Sequence, residues 1–163
     1  MLEINNFSNR YSVKYLDSSD INTIYDLCSQ NSIFYDYHPP FVTKESILED
    51  MEALPPNKAK EDKYYVGLFD ENNLVCILDL IDGYPDEKTI MLGLFMMNKA
   101  YQGKGIGSAI IEELLSYLKS KGYKRVRIGV DKDNPQSNHF WLKNGFMIDN
   151  DSDRFYHVMI RNL

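Results

Sequence analysis

The sequence predicts a mixed α/β domain in which one helix crosses over between two parallel strands. Three observations carry this expectation. Ile106, Ile110, Leu114 and Leu118 recur every four residues, widened by Ile111, Leu115 and Tyr117, which is one broad apolar face of a helix. That helix stands between the apolar run "KTIMLGLFMM" and the segment "KRVRIGV", both of strand character. Upstream, "KYYVGLF" and "LVCILDLI" flank the turn "DENN" and read as a hairpin. A strand, a helix and a second strand in one sheet make a parallel crossover.

The remaining elements follow in chain order. "YSVKYL" is a first strand, after which Ser18 or Ser19 caps a helix over residues 20–30. "NSIFYDYHPPFV" is expected to be an aromatic loop closed by Pro39 and Pro40. Thr43 starts a helix to about Leu54, ended by Pro55 and Pro56. "GYPDE" turns the chain into residues 89–97, expected to be a central strand buried on both faces. Gly122 sits where a left-handed helix cap belongs. Asn134 caps a short helix with Pro135 at its first position and Gly145 beyond its end. "FMI" and "FYHVMIRN" close the chain as a hairpin around "DNDSD".

At 163 residues the chain is expected to form one domain, 1–163, without repeats or long linkers. Its apolar runs are too short to span a membrane, and "MLEINNFSNRYS" has no secretory pattern. Cys28 and Cys76 lack metal-ligand spacing and read as buried, reduced thiols of a cytoplasmic protein. No metal cluster is expected. The net charge of -6 argues against nucleic acid and favours a cationic partner such as an amine.

"YQGKGIGSAIIEELLSYLKSKGY" places Gly103, Gly105 and Gly107 at the start of the crossover helix. A plain turn explains one or two glycines, not three with Gln102 and Lys104 among them. A dinucleotide fingerprint wants glycines at its first, third and sixth places, whereas Ser108 holds the sixth. Asp131 would suit a ribose, but only about 30 residues follow it. No Gly-Lys-Ser/Thr is present for a P-loop of the usual kind. What remains is a cradle of backbone N–H groups at a helix N-terminus, suited to an anion.

Residues 102–107, "QGKGIG", resemble the Gln/Arg-x-x-Gly-x-Gly/Ala signature of the GNAT superfamily of acyl-CoA-dependent N-acyltransferases. "LFMMNKAYQGKGIG" is similar to that family's fourth strand and motif, and "NPQSNHFWLKNGF" to its following one. Together they cover about a third of the chain, residues 91–146. The resemblance implies a mostly antiparallel mixed sheet flanked by helices and splayed between the fourth and fifth strands. It implies acetyl-CoA as acyl donor and a primary amine, in a small molecule or a peptide, as acceptor. A homodimer is left open. An acyl-CoA-binding module without chemistry is the alternative.

On the same resemblance, Gln102, Gly103, Lys104, Gly105, Ile106, Gly107 and Ser108 hold the coenzyme diphosphate. The backbone of Phe95, Met96 and Met97 pairs with the pantetheine arm, and Asn134, Ser137 and Asn138 reach the same ligand. Where many members carry a tyrosine as acid toward the departing thiolate, this chain has Trp141, whose indole N–H donates a hydrogen bond but is no acid at physiological pH. An alkyl ammonium must lose a proton before attacking a thioester. Asp79, Asp82 and Glu87 are candidate bases, and Tyr35, Tyr37 and His38 are candidate acceptor-site residues; none stands out from the sequence.

Overall fold

The structure is a computed structural model that describes Met1–Leu163. In chain order it comprises β1 (Ser12–Tyr15), α1 (Ile21–Ser29), α2 (Ser32–Tyr37), α3 (Lys44–Glu52), β2 (Lys63–Asp70) and β3 (Asn73–Ile81). Then come β4 (Thr89–Met97), α4 (Ile106–Ser120), β5 (Arg125–Asp131), α5 (Pro135–Lys143), β6 (Met147–Asn150) and β7 (Tyr156–Asn162). The strands form one seven-stranded sheet in the order β1-β2-β3-β4-β5-β7-β6. Every pairing is antiparallel except β4 with β5, the two strands that α4 connects. No helix is long and apolar enough to cross a membrane.

The β4–β5 ladder is short. Thr89 to Leu92 pair with Arg125 to Ile128, and beyond that point β4 continues to Met97 and β5 to Asp131 without pairing to each other. This is the splay expected between the fourth and fifth strands. β4 is central, but it is not buried throughout: Gly93 is exposed and Leu94 and Phe95 are half-buried, because the seam lays the strand open there.

Two apolar layers sandwich the sheet. On one face α4 buries Ile110, Ile111, Leu114, Leu115 and Leu118 against Leu78, Leu80, Leu92 and Val126, joined by Trp141 and Phe146. At about 1.5–3 kcal/mol per buried aliphatic side chain, that stripe rather than helix propensity secures α4. On the other face α1 and α3 contribute Ile24, Leu27 and Ile47 over Tyr65, Ile77 and Met96.

Two local expectations are corrected. The start of α1 is capped by neither Ser18 nor Ser19: Asp17 accepts from the Ser19 N–H at 2.8 Å, and Asp20 accepts from the Asp17 N–H at 3.0 Å. A reciprocal carboxylate pair outcompetes the hydroxyls and winds residues 18–20 into a tight 3-10 turn. The aromatic loop contains a helix, α2, because Phe34 and Tyr35 turn inward against the α1 layer. The Thr43 cap stands, with its Oγ1 accepting from the Ser46 N–H at 3.0 Å.

Candidate functional site: the cleft at the parted strands

The glycine loop enters α4 with Gly103 at φ 73° and Gly105 at φ 76°, a backbone state that side chains resist. Neither glycine has an atom within 4 Å of where a Cβ would stand, so the loop is open on the side that a side chain would cover. The backbone N–H groups of residues 103–108 make no hydrogen bond inside the chain. Successive unpaired N–H groups at the positive end of a fifteen-residue helix form a nest for an anion.

The nest opens into a cleft of about 410 Å³ between α5 and the part of β4 that no longer pairs with β5. Phe95, Met96, Met97, Gln102, Gly103, Gly105, Gly107, Ser108, Ser137 and Trp141 all line it, so the structure brings most of the residues singled out in the sequence to one place. Asn31, Phe34, Gln136, His139, Phe140 and Lys143 line it as well. Gln136, Phe140 and Lys143 share one face of α5 at helical spacing, a signal present in the sequence. Asn31 had no such signal.

Other residues stand differently. Lys104 turns its Nζ back to the Ala100 carbonyl at 2.9 Å and does not line the cleft. Ile106 packs on the core, leaving only its N–H toward the nest. The Met97 carbonyl already accepts from Asn31 Nδ2 at 3.1 Å and Gln102 Nε2 at 3.0 Å. Asn138 spends its amide on the carbonyls of Asp131, Lys132 and Asn134, clamping the loop before α5. Asn134 is buried; its Oδ1 caps α5 through the Ser137 N–H at 3.2 Å, while its Nδ2 is enclosed without a partner.

Trp141 is 5% exposed, and its ring lies edge-on to Phe140 and Phe146 with centroids 4.9 Å apart in both cases. At the end of α5, Gly145 donates to the Leu142 carbonyl and Phe146 to the Trp141 carbonyl, each at 3.0 Å. This is a Schellman ending, and Trp141 against Phe146 is the apolar contact that accompanies it. The aromatic-x-x-x-Gly-Phe pattern is therefore a helix terminator that also forms a wall of the cleft.

The candidate acceptor residues are scattered. His38 Nδ1 lies 3.2 Å from Asp131 Oδ1, so the end of α2 reaches across the seam to the end of β5. Tyr35 sits between Phe34 and Phe41 with its hydroxyl 4.0 Å from the Met96 sulfur, and burial pushes its phenol far up. Tyr37 is 41% exposed and makes no side-chain hydrogen bond. Asp79 does not line the cleft; its Oδ2 accepts from Lys63 Nζ at 2.8 Å. Tyr123 holds Asp82 at 2.5 Å, well away from the seam, and Glu87 is exposed in the turn before β4.

A mixed sheet parted beside a parallel pair, with a nest of backbone N–H groups near the gap, makes a cleft suited to an anionic ligand. The chain belongs to the Acetyltransferase (GNAT) family, whose description matches residues 24–146. It is accordingly an acyl-CoA-dependent N-acetyltransferase. It is 26% identical over 136 residues to the ribosomal-protein-serine acetyltransferase of Escherichia coli K12, covering 79% of this chain and 74% of that one. It is 30% identical over 104 residues to a probable spermine N(1)-acetyltransferase of Bacillus subtilis subsp. natto, covering 58% and 68%. An acetyltransferase crystal structure from Thermus thermophilus superposes with a TM-score of 0.79 at 21% identity, over 93% of this chain and 96% of that one. The PaiA N-acetyltransferase of Thermoplasma acidophilum, in complex with coenzyme A, gives 0.69 at 20% identity over 93% and 98%. These two structures share the fold.

Proposed function

We propose that this enzyme moves an acetyl group from acetyl-CoA to a primary amine by direct attack on the thioester. One observation carries the reading: the unpartnered N–H groups of residues 103–108 stand at an open cleft bounded by α5 and by Phe95–Met97 of β4, the part of β4 that has left β5. The residues fit a diphosphate ester with an extended arm. The nest suits the diphosphate, and Ser108 and Ser137 line the cleft with free hydroxyls. Phe95, Phe140 and Trp141 supply apolar walls that exclude water from the end of the arm. Acetyl-CoA supplies an activated acyl group; the chain binds it, orients it and brings the amine to it.

The relatives named for a ribosomal-protein serine and for spermine support two acceptor types, a peptide amine and a small polyamine. The acidic balance of the chain favours either as a cation. The cytoplasm is the proposed compartment, supported by Cys28 and Cys76, both buried and unpaired. The test is a pair of measurements on the purified protein. Acetyl-CoA should raise the melting temperature where NADH does not, and thiol release should appear with amines from a panel holding spermine and a serine-initiated peptide. A shift with NADH alone would overturn the coenzyme, and binding without thiol release from any amine would overturn the transfer.

A further inference from the structure

Strand β3 sets a carboxylate beside the one irregular point of β4. Asp79 pairs with Leu94 and Leu80 with Leu92, so Gly93 is the extra residue of a bulge. Leu92 is also the last residue of β4 paired to β5, so the bulge lies where the seam begins. Gly93 is exposed there, in the middle of a seven-stranded sheet. A Cβ at Gly93 would stand 2.9 Å from Asp79 Oδ2, which means the glycine lets the carboxylate lie against the strand. Asp79 shares its sheet face with Leu94 and Met96, the face covered by α1 and α3.

This carboxylate is buried and half-satisfied. Lys63, 6% exposed, gives its Nζ to Asp79 Oδ2 at 2.8 Å and to the Ala53 carbonyl at 2.9 Å. Asp79 Oδ1 is enclosed and has no hydrogen-bond partner in the chain. Such an orphan acceptor in a native interior calls for a donor from outside. The ionisable groups around it are Lys63 and Tyr65 on β2, Asp50 on α3, and Tyr35, Cys28 and His38 beyond. Burial raises the Asp79 carboxyl above its ordinary value, and Lys63 works against that rise.

We propose that Asp79 Oδ1 receives the proton of a primary ammonium acceptor at the start of the seam, with Lys63 as the residue that positions the carboxylate. The proposal rests on the acetyl-transfer reading above. The acceptor enters as R–NH₃⁺ and hydrogen-bonds to Oδ1. One proton passes to Oδ1, and the freed nitrogen pair forms a C–N bond with the thioester carbonyl carbon. The C–S bond breaks with its electron pair going to sulfur. A second proton leaves nitrogen and, through water, protonates the thiolate, while Asp79 returns its proton to solvent. The acceptor class is an amine bound as its cation, recognised by the Asp79 carboxylate.

The experiment compares wild type, Asp79→Asn, Lys63→Met and the double variant, with acetyl-CoA and spermine, from pH 5 to pH 10. Asp79→Asn is expected to lower kcat/KM for spermine at least 100-fold at pH 7 and leave the acetyl-CoA KM within two-fold. Its rate should climb with pH toward the ordinary alkyl-amine range, about pH 10, because only amine already neutral in solution reacts. Lys63→Met should move the acid limb of the profile to higher pH, since the charge opposing protonation is gone. The double variant contains no uncompensated buried charge, so it carries the test even if Asp79→Asn alone folds poorly. It should stay as slow as Asp79→Asn; recovery to within three-fold of wild type would make Asp79 a mere counter-charge and overturn the proposal. Wild-type turnover with an equally active Asp79→Asn defeats this proposal alone, whereas a wild type that binds acetyl-CoA and acetylates no amine defeats the transfer reading and this with it.

Discussion

Gln102 Nε2 donates to Asn31 Oδ1 at 2.8 Å and to the Met97 carbonyl at 3.0 Å. Asn31 in turn gives its Nδ2 to the Leu27 and Met97 carbonyls at 3.0 and 3.1 Å. Two side-chain amides thus join the end of α1, the end of β4 and the head of the glycine loop. The position of the nest depends on a turn far upstream in the chain.

Gln102→Leu removes both donors and leaves Asn31 Oδ1 unpaired. The expected loss of stability is about 1–3 kcal/mol, or roughly 3–8 °C in Tm, read by thermal unfolding. The acetyl-CoA KM should rise roughly ten-fold, which corresponds to about 1.4 kcal/mol of binding. A lower Tm with an unchanged KM would show that the nest keeps its shape without Gln102.

Gly105→Val places a branched side chain at φ 76° and over the face of the nest. Strain of about 1–3 kcal/mol leaves a folded protein, because no atom lies within 4 Å of the new Cβ. Its thermal shift with acetyl-CoA should vanish. At Gly107 a Cβ would meet Phe140 Cε2 at 3.3 Å, so Gly107→Val should disturb the α5 wall as well. Lys104→Ala should be mild, since that ammonium is tied to the Ala100 carbonyl and the backbone donors remain. Full acetyl-CoA affinity in folded Gly105→Val would contradict the nest.

Trp141→Phe keeps the aromatic contact with Phe146, so activity should stay within about ten-fold of wild type, the value of one lost hydrogen bond. Trp141→Ala should cost about 3–5 kcal/mol in stability through the cavity it leaves and the end of α5 it loosens. Trp141→Tyr sets a phenol in the cleft wall and should alter the basic limb of the pH–rate profile. Abolished turnover in a folded, coenzyme-binding Trp141→Phe would assign the indole N–H a direct part in the chemistry.

Asp86 accepts from the Lys88 N–H at 3.0 Å, Thr89 Oγ1 at 3.0 Å and Arg125 at 2.8 Å. The Lys88 N–H first, then Thr89, with Arg125 adding its charge, hold its carboxyl below the usual carboxylate range. A depressed carboxyl contributes stability that is present above its unfolded pKa, about 4, and disappears as pH falls through the folded value. Asp86→Asn should therefore melt below wild type at pH 7, and the gap should close on titration toward pH 2. A gap that persists unchanged in acid would show that the carboxylate charge is not what matters there.

What the sequence revealed was local, and what it concealed was long-range. The nest, the Asn134 cap and the Gly145 ending are written in consecutive residues, so residue type and spacing exposed them. α2 was missed because six residues have too little periodicity to announce a helix, and its support comes from the α1 layer and from the His38–Asp131 contact. Asn31 looked like a loop residue, since its partners Met97 and Gln102 lie 66 and 71 positions away. Asp79 was one of three equal carboxylates until strand register put it opposite a bulge and against Lys63. The Asp17 cap is hidden among its serine neighbours for a simpler reason: aspartate and serine both suit the position, and only the reciprocal geometry with Asp20 separates them.

The short β4–β5 ladder gives the most interior strand of the sheet the character of an outermost one. From Gly93 to Met97, β4 offers a margin to which another chain could add, a hazard that sheets ordinarily confine to their flanks. Here the end of α2 meets the end of β5 across that margin through His38 and Asp131, and Phe34 of α2 lines the cleft beside it. A margin in the interior of a sheet, crossed by a single side-chain strut, is thus built into the fold by the shortness of one ladder.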